Sequence, residues 1–273
     1  MKILKYSLII ALANLFIACE KVVDVDLDTA APKLVIDASI DWQKNTSGSQ
    51  QKIKLSTTTA YYNDAFPVVS GATVVVTNTA NTVFNFIENT GAGEYVCTNF
   101  LPVVGETYTL TITLNGETYT ATETLMATPD IEANIEQDDT GGMAGDEVEL
   151  TYYYQDNAAQ TNYYVFSNKI PQMAFPQYAV EDDDNNQGGL TPVYYSHKDL
   201  KPGDIVNIKL YGISKRYYDY FRKLLNASGN DDSPFATIPT EVRGNIINQT
   251  NPKNFAYGYF RLSEVAARDY VIK

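Results

Sequence analysis

The sequence predicts a mainly β protein with an N-terminal immunoglobulin-like β-sandwich (residues 32–128) and a second β-rich domain (129–273) that carries one amphipathic helix. Segments rich in β-branched and aromatic residues alternate with a period of two along most of the chain. Gly, Asn and Pro separate these segments at the spacing of a sandwich. Pro129 and Asp130 interrupt the pattern and mark the predicted boundary.

The first 18 residues are predicted to be a lipoprotein signal peptide. Lys2 and Lys5 precede the apolar run Leu8–Ala18, and a small residue stands directly before Cys19. This segment is too short for a membrane span and is typical of a secretory signal. We expect cleavage before Cys19 and lipidation of that cysteine, palmitate included. The alternative is a plain cleavable signal followed by an unmodified cysteine.

Residues 19–31 form the predicted lipidated tether. The stretch from Glu20 to Asp28 is acidic and contains alternating valines. We interpret charged residues directly after a lipidated cysteine as an export tag, which places the protein in the outer membrane, lipid-anchored at the cell surface. The alternative is a solvated tether that carries no localisation signal.

The predicted sandwich contains strands at 33–40, 51–57, 72–77, 82–87, 107–114 and 118–122. Asn115 and Gly116 lie between two of these strands and tolerate positive φ, so they predict a type I′ hairpin. Cys97 lies in an alternating segment where a small apolar side chain packs well, which indicates a buried structural thiol.

The second half contains predicted strands at 147–154, 162–167, 204–211 and 255–262. A helix is predicted near 214–227, because Ser214 can cap its start and Gly229 follows its end. Its apolar face carries Tyr217, Phe221, Leu224 and Leu225. A helix with that face must pack on a sheet.

A long predicted loop at 169–189, with the strand that follows it, is the expected contact surface. It combines aromatic side chains with an acidic run at 181–184. The candidate ligand-binding residues are Phe175, Tyr178, Tyr194 and Tyr195. Aromatic faces stack on sugar rings and pack on peptide side chains, so both a glycan and a peptide ligand remain open.

A partial calcium motif lies in the same loop. Asp182, Asp184 and Asn186 place oxygen ligands at the first, third and fifth positions. Gln187 replaces the glycine expected next, and Val193 stands where a bidentate glutamate would be needed. A solvated acidic loop is the alternative, and no other cofactor is expected.

The sequence predicts no enzyme. His197 is the single histidine and has no second donor beside it, and neither a phosphate-binding loop nor a nucleophile elbow is visible. A carboxylate pair of the kind that glycoside hydrolases use remains an alternative.

The formal charge is −13, and it falls to about −15 when cleavage of the signal peptide removes two lysines. Nucleic acid and anionic lipid would both repel such a surface, so neither is an expected partner. Membrane attachment must therefore come from the lipid.

An ordered set of short motifs carries a family resemblance. The motifs are Pro67–Val74, Gly93–Tyr95, Gly105–Leu110, Gly116–Ala121, Asn162–Tyr164, Gly244–Asn245 and Gly258–Phe260. Together with Cys19 they resemble an uncharacterised lipoprotein family of the Bacteroidota, domain of unknown function 4249, over nearly the whole mature chain. The resemblance implies an outer-membrane lipoprotein, often encoded beside a TonB-dependent receptor, and supplies no catalytic residues.

The expected function is that of a non-enzymatic accessory or substrate-binding partner of a TonB-dependent nutrient transporter. Lipidation, two β-rich domains, aromatic loops and the missing catalytic constellation support this expectation. A structural or adhesive surface module is the first alternative. A secreted hydrolase that uses two carboxylates is the second.

Overall fold

The computed structural model describes residues 31–60, 65–184, 186–228 and 241–273. Residues 32–273 belong to one compact unit. Cys19, the predicted signal peptide and the predicted tether up to residue 30 lie outside the described residues. Among the residues that are described, no helix is both long enough and apolar enough to cross a membrane.

The described part of the chain contains fifteen strands and one helix. They are β1 (Leu34–Gln43), β2 (Gln51–Thr57), β3 (Thr73–Asn78), β4 (Val83–Asn89), β5 (Glu94–Cys97), β6 (Thr107–Leu114), β7 (Glu117–Thr124), β8 (Ile131–Gly141), β9 (Glu147–Gln155), β10 (Tyr163–Lys169), β11 (Gln177–Asp182), β12 (Leu190–His197), β13 (Ile205–Ile213), α1 (Lys215–Ala227), β14 (Ile247–Asn248) and β15 (Tyr257–Val271). The prediction of a mainly β fold with one helix is confirmed.

Twelve of these strands form one curled sheet in the order β11-β10-β13-β15-β1-β2-β5-β4-β3-β6-β7-β14, and β12-β9-β8 form a second, three-stranded sheet. The first and last long strands lie side by side, because β1 pairs with β15 in parallel from Val35 opposite Tyr257 to Gln43 opposite Val265. This pairing joins the two ends of the described chain in the middle of the large sheet.

The first core lies inside the curl made by β1 to β7. Period-two alternation turns Ile36, Ala38 and Ile40 into it. It is rich in aromatic rings, and Phe100 packs between Phe84 and Tyr108 with ring centroids 4.7 and 5.1 Å apart. The prediction of a buried thiol at Cys97 is confirmed, since this side chain is 1% exposed and belongs to the same core.

The second core is built from residues 131 to 210 together with Ala266 and Ile272. Strand β15 serves both cores, because its earlier residues Phe260 and Leu262 lie in the first. The predicted domain boundary at 128/129 stays a prediction: the core changes near it, while the large sheet runs through both halves.

Two local predictions are confirmed. Asn115 and Gly116 have φ of 51° and 80°, and they connect β6 to β7 as the hairpin signal predicts. The predicted helix at 214–227 is α1, and the Ser214 side chain accepts a hydrogen bond from the Tyr217 backbone N–H at its start. The helix packs on the outer face of the sheet, as its apolar face requires, although Leu224 is 38% exposed.

Candidate functional site

A cavity of about 330 Å³ opens between α1 and the outer face of the large sheet. Its lining comes from five strands and the helix: Asp37, Ser39 and Asp41 of β1, Val165 of β10, Tyr178 of β11, Tyr211 of β13, Tyr217 and Phe221 of α1, and Arg261 of β15. The alternation that turns Ile36, Ala38 and Ile40 inward turns the three polar residues of β1 outward into this cavity. We name it the α1 cavity.

Arg261 is the central charged group of the α1 cavity and is only 8% exposed. Its Nη2 donates to Asp41 Oδ1 over 2.7 Å, and its Nη1 donates to Ser263 Oγ over 2.7 Å. The third nitrogen, Nε, is buried and has no hydrogen-bond partner in the described part of the chain. Burying a guanidinium is costly unless it is paired, so the free Nε–H is an unsatisfied donor.

Aromatic rings surround this guanidinium. Its central carbon lies 5.0 Å from the Tyr211 ring centroid and 5.2 Å from that of Tyr217. Phe221 stacks on Tyr217 with ring centroids 5.4 Å apart, and it meets Tyr178 edge to face at 5.6 Å. The α1 cavity therefore combines a cation, two carboxylates and a wall of aromatic faces.

The hydrogen-bond donors of the cavity keep their protons at neutral pH. Burial raises the pKa of Tyr217 to about 12, and burial together with Asp41 raises the pKa of Tyr211. Burial alone would lower the pKa of Arg261, but the neighbouring groups Asp41, Tyr217, Tyr211 and Asp37 together more than offset this, and the pKa is raised. Both phenols stay protonated and Arg261 stays cationic.

Neither the Tyr211 nor the Tyr217 hydroxyl makes a hydrogen bond to the residues that the structure describes, and both oxygens retain access to solvent. A phenol hydroxyl can donate and accept a hydrogen bond. These hydroxyls give the cavity polar groups that the fold itself leaves unused.

Two anchors hold α1 above the cavity. The buried Glu123 carboxylate accepts hydrogen bonds from Ser214 Oγ and Tyr259 Oη, each over 3.1 Å, and it pairs with Arg216 at 3.5 Å. Further along the helix, Tyr218 Oη donates to Asp182 Oδ2 over 2.9 Å. These contacts fix the helical side of the cavity relative to the sheet.

The structure brings one of the four predicted ligand-binding residues to the α1 cavity. Tyr178 lines it, whereas Phe175 is 80% exposed and Tyr194 is 66% exposed outside the cavity lining. Tyr195 is 4% exposed and belongs to the second core, where its hydroxyl donates to Met173 Sδ over 3.8 Å.

Two of the three predicted calcium ligands, Asp182 and Asn186, have side chains that bond to different partners. Asp182 accepts the hydrogen bond from Tyr218, and its other oxygen accepts from the Asp184 backbone N–H over 3.4 Å. The Asn186 amide donates to Thr191 Oγ1 over 2.8 Å. Among the described residues, no group of three or more His, Cys, Asp or Glu side chains is arranged to hold a metal ion.

A second cavity of about 460 Å³ lies beside α1 and is lined by Lys215, Arg216, Asp219, Tyr220, Lys223, Arg243, Gly244, Asn245 and Tyr259. Three of its four cations are already paired, with Asp219 at 2.7 Å, Glu123 at 3.5 Å and Glu241 at 2.9 Å. Its charges are therefore largely satisfied within the fold, unlike the buried donor of the α1 cavity.

The sequence carried a weak signal for the missed residues of the site. Asp37 and Asp41 alternate with apolar residues in β1, so both must lie on the outer face of the sheet. Arg261 and Tyr211 gave no signal of their own. Their place depends on which strands lie beside β1.

A family model described as "Domain of unknown function (DUF4249)" matches residues 20–269. No curated protein matches the sequence. Among solved structures, a two fibronectin type III domain segment from chicken tenascin is 12% identical, with 66% of this chain and 90% of that one covered and a TM-score of 0.22. A DUF4785 family protein from Legionella pneumophila is 8% identical, with 66% and 52% covered and a TM-score of 0.26. Similarity at this level carries no argument.

Proposed function

This chain belongs to the DUF4249 family, and we propose that it is a non-enzymatic, ligand-binding lipoprotein of the outer membrane. In this proposal the Bacteroidota-type lipid anchor at Cys19 holds the protein at the cell surface. There it serves a TonB-dependent transporter by capturing a nutrient and passing it on.

The buried guanidinium of Arg261, which lines the α1 cavity and has one N–H without a partner in the described part of the chain, is the observation that carries the binding role. A buried polar group without a partner costs about 1–3 kcal/mol. The incompletely paired guanidinium stands at the wall of an open cavity, a setting typical of a binding site. The aromatic wall and the Asp37 and Asp41 carboxylates add further contacts for it.

The location and the partner rest on the sequence. Cys19 follows a signal-like segment, and anionic lipid repels a chain of net charge −13. A binding protein tethered near a transporter raises the local concentration of its ligand there. The resemblance to lipoproteins encoded beside TonB-dependent receptors supports the same pairing.

Affinity purification tests this proposal. The full-length chain is tagged at its C-terminus, expressed in its own host and recovered from mildly solubilised outer membrane. We expect a TonB-dependent receptor to copurify and to be identified by mass spectrometry. An unrelated outer-membrane lipoprotein with the same tag is the control, and failure to enrich any receptor over it contradicts the transporter partnership.

A further inference from the structure

We infer that the α1 cavity takes one neutral, polyhydroxylated ring, that is, a single sugar unit of a glycan. This inference rests on the proposed binding function and names the substrate class of that same site. It excludes anionic ligands and apolar peptide side chains as the preferred occupant.

The charges of the lining disfavour an anion. An incoming anion would meet Asp37 and Asp41, whereas the single cation of the lining, Arg261, is already paired with Asp41 at 2.7 Å. A neutral ligand avoids this repulsion.

The hydrogen-bonding groups of the lining match hydroxyl groups. Tyr211 and Tyr217 can donate and accept, and Asp37 and Asp41 as carboxylates can only accept. A sugar hydroxyl donates and accepts at the same time, so adjacent hydroxyls can serve both kinds of group. An apolar side chain would leave these groups unpaired, at about 1–3 kcal/mol for each buried one.

The remaining surface and the size of the cavity fit one ring. Phe221, stacked on Tyr217, supplies an apolar aromatic wall against which the C–H face of a sugar can pack. The volume of about 330 Å³ lies at the lower end of the roughly 300–1,000 Å³ of small-molecule sites. A longer glycan would extend from the open cavity into solvent.

A binding screen tests the inference. The purified mature chain without its lipid is applied to an array that carries neutral glycans, acidic glycans and peptides, and affinities for the bound probes are measured by calorimetry. The variants are Asp37→Ala, which removes an exposed acceptor, and Phe221→Ala, which removes the wall. Their matched controls are Asp139→Ala and Phe66→Ala, which change an exposed acid and an exposed aromatic outside the cavity.

We expect neutral glycans to be bound, with affinity reduced about tenfold or more in both cavity variants and unchanged in both controls. Circular dichroism and thermal melting establish whether each variant is folded. If Phe221→Ala does not fold, the affinity of Asp37→Ala alone decides the test. Preference for acidic glycans or peptides, no bound probe, or binding that neither cavity variant weakens overturns the inference. Recovery of a receptor is measured separately, so each of these failures is distinguishable from failure of the proposed function.

Discussion

Arg261 and Asp41 are 220 residues apart in sequence, yet Arg261 Nη2 donates to Asp41 Oδ1 over 2.7 Å. The parallel pairing of β1 with β15 creates this contact, because it sets Ser39 opposite Arg261 and Asp41 two residues further along the same face. The ion pair therefore joins the first and last long strands at the α1 cavity.

Changing Asp41→Ala leaves a buried guanidinium without its counter-charge. Breaking a fully buried pair costs about 3–5 kcal/mol. The Asp41 side chain is 41% exposed, so solvent screens the loss and we expect the free energy of unfolding to fall by about 1–3 kcal/mol. Urea unfolding measures the change, and Glu94→Ala, which breaks an exposed pair with Lys52, is the control with a clearly smaller expected loss. Equal effects in both variants would contradict a special role for Asp41.

Changing Glu123→Ala removes the acceptor that ties the start of α1 to β7. Ser214 and Tyr259 then lose a hydrogen-bond partner and Arg216 loses its counter-charge, so we expect a loss of about 1–3 kcal/mol in stability. Backbone amides of 215–227 should exchange with deuterium faster than in the unchanged protein. Glu123→Gln keeps an acceptor and should show a smaller change; unaltered exchange in the alanine variant would refute the anchoring role.

The Glu117 carboxyl makes the stability of the folded protein depend on pH in the acid range. Hydrogen bonds from Tyr119, Asn254, Asn251 and Asn248 hold the pKa of this carboxyl below its ordinary value of 4.5. A lowered pKa in the folded state adds stability above about pH 4.5 and loses it as the pH falls through the folded pKa. We expect Glu117→Gln to lower the urea midpoint at pH 7, and the difference from the unchanged protein to shrink by pH 3. A difference that is constant across this range would contradict the linkage.

Changing Cys19→Ala removes the proposed anchor. We expect the variant to leave the membrane fraction for the soluble fraction, because no other attachment is expected of an acidic chain. Fractionation followed by immunoblotting measures this, with Cys97→Ala as the matched cysteine control that should stay with the membrane. Unchanged membrane association of the Cys19 variant would overturn the anchor.

Local signals predicted the local structure well. The hairpin at Asn115 and Gly116 and the helix capped by Ser214 are each determined by a few neighbouring residues, and both form as predicted. The strand pattern predicted β1 because apolar and polar residues alternate along it.

The candidate site was harder to predict because it depends on strand order. Nothing near Arg261 in sequence indicates that β15 pairs with β1, and without that pairing Asp37, Asp41 and Arg261 do not share a surface. Tyr194 and Tyr195 show a second difficulty. Adjacent residues in a strand face opposite sides, so one of the two had to turn inward, and only the packing of β12 on the second core selects Tyr195.

Hydrogen–deuterium exchange of the mature chain, with and without a mixture of neutral oligosaccharides, tests most directly whether the α1 cavity is the ligand site. We predict slower exchange in peptides that cover Asp37 to Asp41 and Tyr211 to Phe221, which line the cavity. Slower exchange confined to the segment from Phe175 to Tyr194, or exchange that the mixture does not alter anywhere, would contradict that account.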